Sequence, residues 1–81
     1  MHVRDRVRRF ISDSFLIDEF ADDDSFLAAG IIDSLGVMQL VSFLESEFGI
    51  QVAEAELVPD NLDSVAKVTG YLSRKLGARA A

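Results

Sequence analysis

Cysteine is absent from this chain of 81 residues. No disulfide reinforces it, and no thiolate site can hold a metal. The missing disulfides fit a cytoplasmic protein. Histidine occurs once, as His2, so there is no base to activate a serine in the body of the chain. No apolar run approaches the roughly 18 residues that a membrane span needs, so no membrane insertion is expected. The N-terminus is Arg-rich and lacks the apolar core of a secretory signal. It is better read as a helix than as an organelle-targeting peptide, because Val3, Val7, Phe10 and Ile11 fall on one face.

Basic residues are also missing from the middle. Arg4, Arg6, Arg8 and Arg9 lie at the front and Lys67, Arg74, Lys75 and Arg79 at the back, while all of the 14 acids except Asp5 fall between Phe10 and Ala66. Nucleic-acid binding needs Lys and Arg to displace counterions from phosphates, so DNA and RNA are excluded as partners of that region. The acids keep a small protein soluble, and they also favour encounter with basic surfaces.

What is present reads as one all-α domain over 1–81, ordered over about 3–76, with no repeat, linker or low-complexity segment. The initial Met and short tails point to a free-standing protein. Val3, Val7, Phe10, Ile11 and Ser14 predict a first helix from about Val3 to Ser14. A long connection follows, with Phe15, Leu16, Ile17, Phe20, Phe26 and Leu27 as plugs into the core and Asp22, Asp23 and Asp24 in water. The second helix starts near Asp33 or Ser34 and ends at Phe48, stopped by Gly49. Its inner stripe is Val37, Leu40, Val41, Leu44 and Phe48, and Ile50 and Val52 pack its exit. A short helix or turn covers Ala53 to Leu57, and Pro59 punctuates the chain. The last helix is capped by Asp63, buries Val65, Val68, Thr69, Leu72 and Leu76, and is closed by Gly77. No segment alternates with a period of two, so no sheet is expected.

The segment Gly30-Ile31-Ile32-Asp33-Ser34-Leu35-Gly36 draws attention. On local physics alone, Asp33-Ser34 ahead of an amphipathic helix is a cap, and either side chain could accept from the free N–H groups. Leu35, however, lies opposite the inner stripe, Met38 projects to the flank, and Ser42 lies near Leu35. Together they make a small apolar landing patch beside the Ser34 hydroxyl. A hydrolase elbow requires Gly two residues before Ser, where this chain has Ile32. Asp22, Asp23, Asp24 and Asp33 lack EF-hand spacing. Neither a catalytic residue nor a metal site is therefore assigned.

The stretch Asp24-Ser25-Phe26-Leu27 through Gly30-Ile31-Ile32-Asp33-Ser34-Leu35, followed by Leu40-Val41 and Leu44-Glu45-Ser46-Glu47-Phe48-Gly49-Ile50, resembles the acyl carrier protein family. Asn61-Leu62-Asp63-Ser64-Val65 resembles the family's approach to its last helix. The resemblance implies an acyl-carrier-like four-helix bundle with a long loop between helices 1 and 2 and a short third helix. It implies that Ser34 carries covalent 4'-phosphopantetheine, placed there from coenzyme A by a phosphopantetheinyl transferase using a divalent metal. Since the chain has no thiol, the arm would hold the acyl or aminoacyl group as a thioester. The protein would then be a carrier of biosynthesis and not an enzyme. Its partners would be that transferase, an AMP-forming acyl or aminoacyl ligase, and a downstream acyltransferase or synthase, met by the carrier as a monomer. Asp33, Leu35, Met38, Ser42 and Glu45 would be read by partners, with Glu45 and Glu47 guiding basic surfaces.

Fatty-acid carriers usually have acids two and five residues after the serine, where this chain has Gly36 and Gln39. That pattern is more similar to D-alanyl and related free-standing carriers, although the Trp of the D-alanyl type near Leu62 is absent. The cargo stays open between an amino acid, a fatty acid and another small acid, with an amino acid or short acyl group the nearer fit. The competing class is a passive acidic helical adaptor in which Asp33-Ser34 is only a cap.

Overall fold

The computed structural model describes residues 2–80, with side chains described through Gly77, so Arg79 lies outside the described side chains. Four helices, α1 (Val3–Phe15), α2 (Ser34–Phe48), α3 (Pro59–Leu62) and α4 (Val65–Ala80), form the bundle, and a single 3-10 turn spans Glu54–Glu56. Among the described residues there is no strand.

α1 buries Val7 and Ile11 completely and packs against α4. Ser14, expected on that inner face, is exposed. It follows the buried stripe just where α1 runs out: Leu16 turns left-handed at φ 54° and its N–H closes back on the Ser12 carbonyl. That turn throws the Leu16 side chain into solvent at 91% exposure, so Leu16 is not a plug. Leu27 is also half in water, at 51%.

The long connection is held instead by Phe26, which is buried, and by Phe15, Ile17 and Phe20, which pack partly buried against the core. Phe26 also organises the backbone. Its N–H donates to the Asp63 carbonyl at 2.7 Å, and its own carbonyl accepts from Ile31 and Ile32 at 2.8 and 3.2 Å. Ile32 is thereby buried directly under the start of α2.

Asp22 is not simply in water. Arg4 and Arg8 both reach back from α1 to its carboxylate, Arg8 at 2.7 Å. The hydrogen bond from Arg4, helped by Arg8, holds the Asp22 carboxyl below its usual range. The Asp22 carbonyl accepts from Ala66 N–H at 2.8 Å, which fastens the same point to the first turn of α4.

α2 has the bounds its sequence predicts. Gly49 adopts φ 65°, a left-handed stop that costs a glycine little. Leu40, Val41 and Leu44 are buried and Val37 and Phe48 partly so. Ile50 is buried just beyond.

The short helix or turn expected over Ala53–Leu57 is present as the 3-10 turn. Pro59, expected only to punctuate the chain, instead opens α3, because its fixed φ and missing N–H suit the first helical position. Asp63 does not cap α4. The Ser64 hydroxyl does, accepting from Lys67 N–H at 3.1 Å. Asp63 is occupied across the bundle, where its carboxylate accepts from the Ser25 hydroxyl and from Leu27 N–H.

α4 buries Val65, Val68, Tyr71 and Leu72 and runs past Gly77 to Ala80. Gly77 therefore does not close it. Arg74 and Lys75 pair sideways and not with the helix end: Arg74 donates to Asn61 Oδ1 and Lys75 to Glu56, both at 3.0 Å. Glu56 Oε1 also accepts from the Tyr71 hydroxyl at 3.0 Å and from Ala53 N–H at 2.9 Å, which ties the turn to α4.

Candidate functional site

The site is built at the first turn of α2. Ile32 anchors the approach from below, and Asp33 is the N-cap in an extended conformation. Asp33 Oδ1 accepts from Gly36 N–H at 2.8 Å, while the Asp33 carbonyl accepts from Val37 N–H at 3.0 Å. Ser34 follows as the first helical residue and is exposed. Of the two residues that could cap, Asp33 is the one that does. Among the described residues nothing hydrogen-bonds the Ser34 hydroxyl, and the N–H groups of Ser34 and Leu35 are likewise unpaired.

Gly36 is a buried position that sequence reasoning treated only as an absent acid. A Cβ there would lie 2.8 Å from Ile32 Cγ2 and 2.9 Å from Phe15 Cε1. The first turn of α2 sits so close to the end of α1 and to Ile32 that a side chain there would have to displace both neighbours. A glycine in the third position after the cap is the only trace of this in the sequence.

The structure brings together most of the expected recognition residues. Leu35 is 78% exposed and Met38 53% exposed, and Ser42 is exposed one turn on. Glu45 differs. It is partly buried and its Oε2 accepts from Val52 N–H at 3.0 Å, so it holds the exit from α2. Glu47 is ion-paired with Arg6 of α1.

Two depressions adjoin the site. One, of about 160 Å³, is bounded by Phe26, Leu27, Val37, Leu57, Val58 and Leu62 among others, and it lies on the side towards α3. Sequence reasoning missed it because its walls come from three distant segments. The other is a groove bordered by Phe15, Gly30, Leu35, Gly36 and Gln39. His2 lies elsewhere, in a groove between the start of α1 and α4. Among the described residues no group of three or more His, Cys, Asp or Glu side chains is placed to hold a metal ion. Among the described residues no helix is long and apolar enough to cross a membrane.

This arrangement fits a phosphodiester on the Ser34 oxygen. A negative group there would face two unpaired N–H donors and the positive end of the α2 dipole, worth about 0.3–1 kcal/mol at a surface. The exposed hydroxyl would admit a second protein to build it.

Comparison with known proteins bears on this geometry. The family model described as "Phosphopantetheine attachment site" matches residues 5–72. D-alanyl carrier proteins of Streptococcus pyogenes serotype M5 (strain Manfredo) and of serotype M1 are each 39% identical over 61 residues, covering 75% of this chain and 72% of the relative. An all-helical bundle with an open serine at a capped helix start, matched over this span, belongs to the phosphopantetheine-attachment family of acyl carrier proteins: the chain is a carrier whose prosthetic group is 4'-phosphopantetheine.

Proposed function

We propose that Ser34 is the residue that bears the arm, and that the protein delivers an aminoacyl or short acyl group, held as a thioester, to partner enzymes. The single observation that carries the assignment is the division of labour at α2: Asp33 satisfies the cap and leaves the Ser34 hydroxyl exposed and unpaired. A serine needed for capping would be engaged with its own helix.

The bound arm supplies a terminal thiol, which the chain itself lacks. The protein's residues do the rest. Asp33 fixes the first turn, Ser34 presents its oxygen to a phosphopantetheinyl transferase working on coenzyme A, and the free N–H groups of Ser34 and Leu35 face the resulting phosphodiester. A tethered thiol then visits successive partners at high effective concentration. Those partners are an AMP-forming acyl or aminoacyl ligase and a downstream acyltransferase or synthase. The relatives' name, D-alanyl carrier protein, favours an amino acid as cargo. We place this chemistry in the cytoplasm, where coenzyme A and a cysteine-free fold are both at home, with the carrier acting as one monomeric domain over 1–81. The passive-adaptor reading is disfavoured, because the family match and the free hydroxyl both point to modification.

Incubation with coenzyme A, magnesium and a broad-specificity transferase tests the assignment. Intact-mass measurement should show one added phosphopantetheine on the wild type and none on Ser34→Ala. Addition to Ser34→Ala at the wild-type level would refute it.

A further inference from the structure

Residues 25–32 carry the chain from the middle of the long connection to the foot of α2, and one residue grips them on the way. Asp63, at the junction of α3 and α4, accepts from three consecutive residues. Its carboxylate takes the Ser25 hydroxyl and, at 3.1 Å, Leu27 N–H, and its carbonyl takes Phe26 N–H at 2.7 Å. The other hydrogen bonds of the segment are internal. Ser25 Oγ and the Ser25 carbonyl take the N–H groups of Ala28 and Ala29, and the Phe26 carbonyl takes those of Ile31 and Ile32. Among the described residues, no other hydrogen bond fastens 25–32 to another element. The stretch from Leu27 to Gly30 is exposed. Ile32, by contrast, is buried, and its Cγ2 lies against Gly36 in the first turn of α2.

We propose that Asp63 and Ser25 are positioning residues for Ser34: their grip on 25–27 sets the placement in which α2 presents the serine oxygen to the enzyme that modifies it. The inference rests on the reading that Ser34 bears the arm. Connectivity supports it, because bonds and contacts run without a gap from Asp63 to Phe26, from Phe26 to Ile31 and Ile32, and from Ile32 to Gly36. The use made of Asp63 supports it too. A residue suited to cap α4 leaves that task to Ser64 and spends its carboxylate on the strap, where charge-assisted bonds are the stronger kind. Without the grip, the strap keeps only the apolar anchors Phe26 and Ile32. Apolar burial is non-directional, so it fixes their depth and not their direction, whereas hydrogen bonds fix direction. A loosened strap would let the first turn of α2 sample several placements. The enzyme would then engage only the correctly placed fraction, and apparent affinity falls by that fraction while the chemistry of the engaged carrier is unaltered.

Transfer from coenzyme A by a broad-specificity phosphopantetheinyl transferase with magnesium tests this, at a temperature where circular dichroism shows each variant folded. Asp63→Ala removes both carboxylate bonds and should raise the KM for the carrier about fivefold, and Ser25→Ala about threefold, with kcat within about twofold of the wild type. Tyr71→Phe, which loses a bond between α4 and the 3-10 turn, controls for stability alone and should leave KM unmoved. Hydrogen exchange of the unmodified carrier reads the mount without any transferase. The amides of Phe26, Leu27, Ile31 and Ile32 should open together in the wild type, and Ser25→Ala should speed exchange at Ile31 and Ile32, to which Ser25 makes no bond. A KM unmoved by Asp63→Ala and Ser25→Ala overturns the inference. So does an equal rise in Tyr71→Phe, a loss confined to kcat, or exchange at Ile31 and Ile32 that ignores Ser25→Ala. If Asp63→Ala does not fold, Ser25→Ala and the exchange rates decide. No mass gain by the wild type would remove the Ser34 reading and this inference together, whereas mass gain with KM unmoved in the variants removes the inference alone.

Discussion

Asp33 Oδ1 lies 2.8 Å from the Gly36 amide nitrogen, bracketing Ser34 on both sides without touching its hydroxyl. The bond assigns the two polar residues different tasks. One holds the helix start; the other is left for a second protein to reach.

That division can be measured. Asp33→Ala should cost about 1 kcal/mol in urea denaturation, the usual loss of an N-cap, and Asp33→Asn should recover most of it. Ser34→Ala should stay within about 0.5 kcal/mol of the wild type, as expected for a surface position making no bond. A Ser34→Ala loss as large as that of Asp33→Ala would mean that the hydroxyl has a structural role.

Two glycines should respond in opposite directions to the same substitution. Gly36→Ala gains helix propensity but drives a methyl into Ile32 and Phe15, so a net loss of about 1–2 kcal/mol is expected. Gly70→Ala meets only Arg74 Nη1 at 3.6 Å, ordinary contact, and should stabilise by about 0.5–1 kcal/mol. Equilibrium denaturation of the two variants side by side checks both.

Tyr71 should make the fold sensitive to alkali. Burial, aided by the bond to Glu56, pushes its phenol from 10.0 up to about 12. Below pH 10 the phenol is neutral in both folded and unfolded chains, and its contribution is fully present. Between 10 and about 12 the unfolded chain releases the proton and the folded one keeps it, so stability falls as pH rises. Tyr71→Phe should lose about 1 kcal/mol at neutral pH with the hydrogen bond and show a shallower decline above pH 10.

Glu56 works on the acid side. Its carboxyl is held below 4.5 chiefly by Ala53 N–H, then by Lys75 and Tyr71. Its stabilisation is present above the ordinary carboxylate value and is lost as pH falls through the lowered one. Glu56→Gln should therefore flatten part of the acid limb of a stability–pH curve measured by thermal melting.

How far the sequence could be read follows from the range of each interaction. α2 was legible end to end because its cap, its apolar stripe and its glycine stop are all local. Where the deciding partner is distant, local reading went astray. Asp63 is a good N-cap by type, yet Ser25 and Leu27 claim its carboxylate from 38 and 36 residues away and leave the cap to Ser64. Asp22 looked like one solvated acid among three until α1 brought two arginines to it. Tyr71 went unremarked as a core residue because its burial depends on a hydroxyl partner in another segment. At the site, exposed Leu35 and Met38 were visible in the helical spacing, whereas which of Asp33 and Ser34 caps the helix was left open by local sequence and is decided by the Asp33 bond to Gly36 N–H. Glu45 was placed among recognition residues on charge alone, but its carboxylate closes the turn after α2.

Fragmentation mass spectrometry of the carrier purified from its native cells tests the central claim most directly. The account predicts the phosphopantetheine mass on the peptide containing Ser34, with any cargo attached through its thiol. An unmodified Ser34 peptide, or the same mass found on Ser25, Ser42 or Ser64, would contradict it.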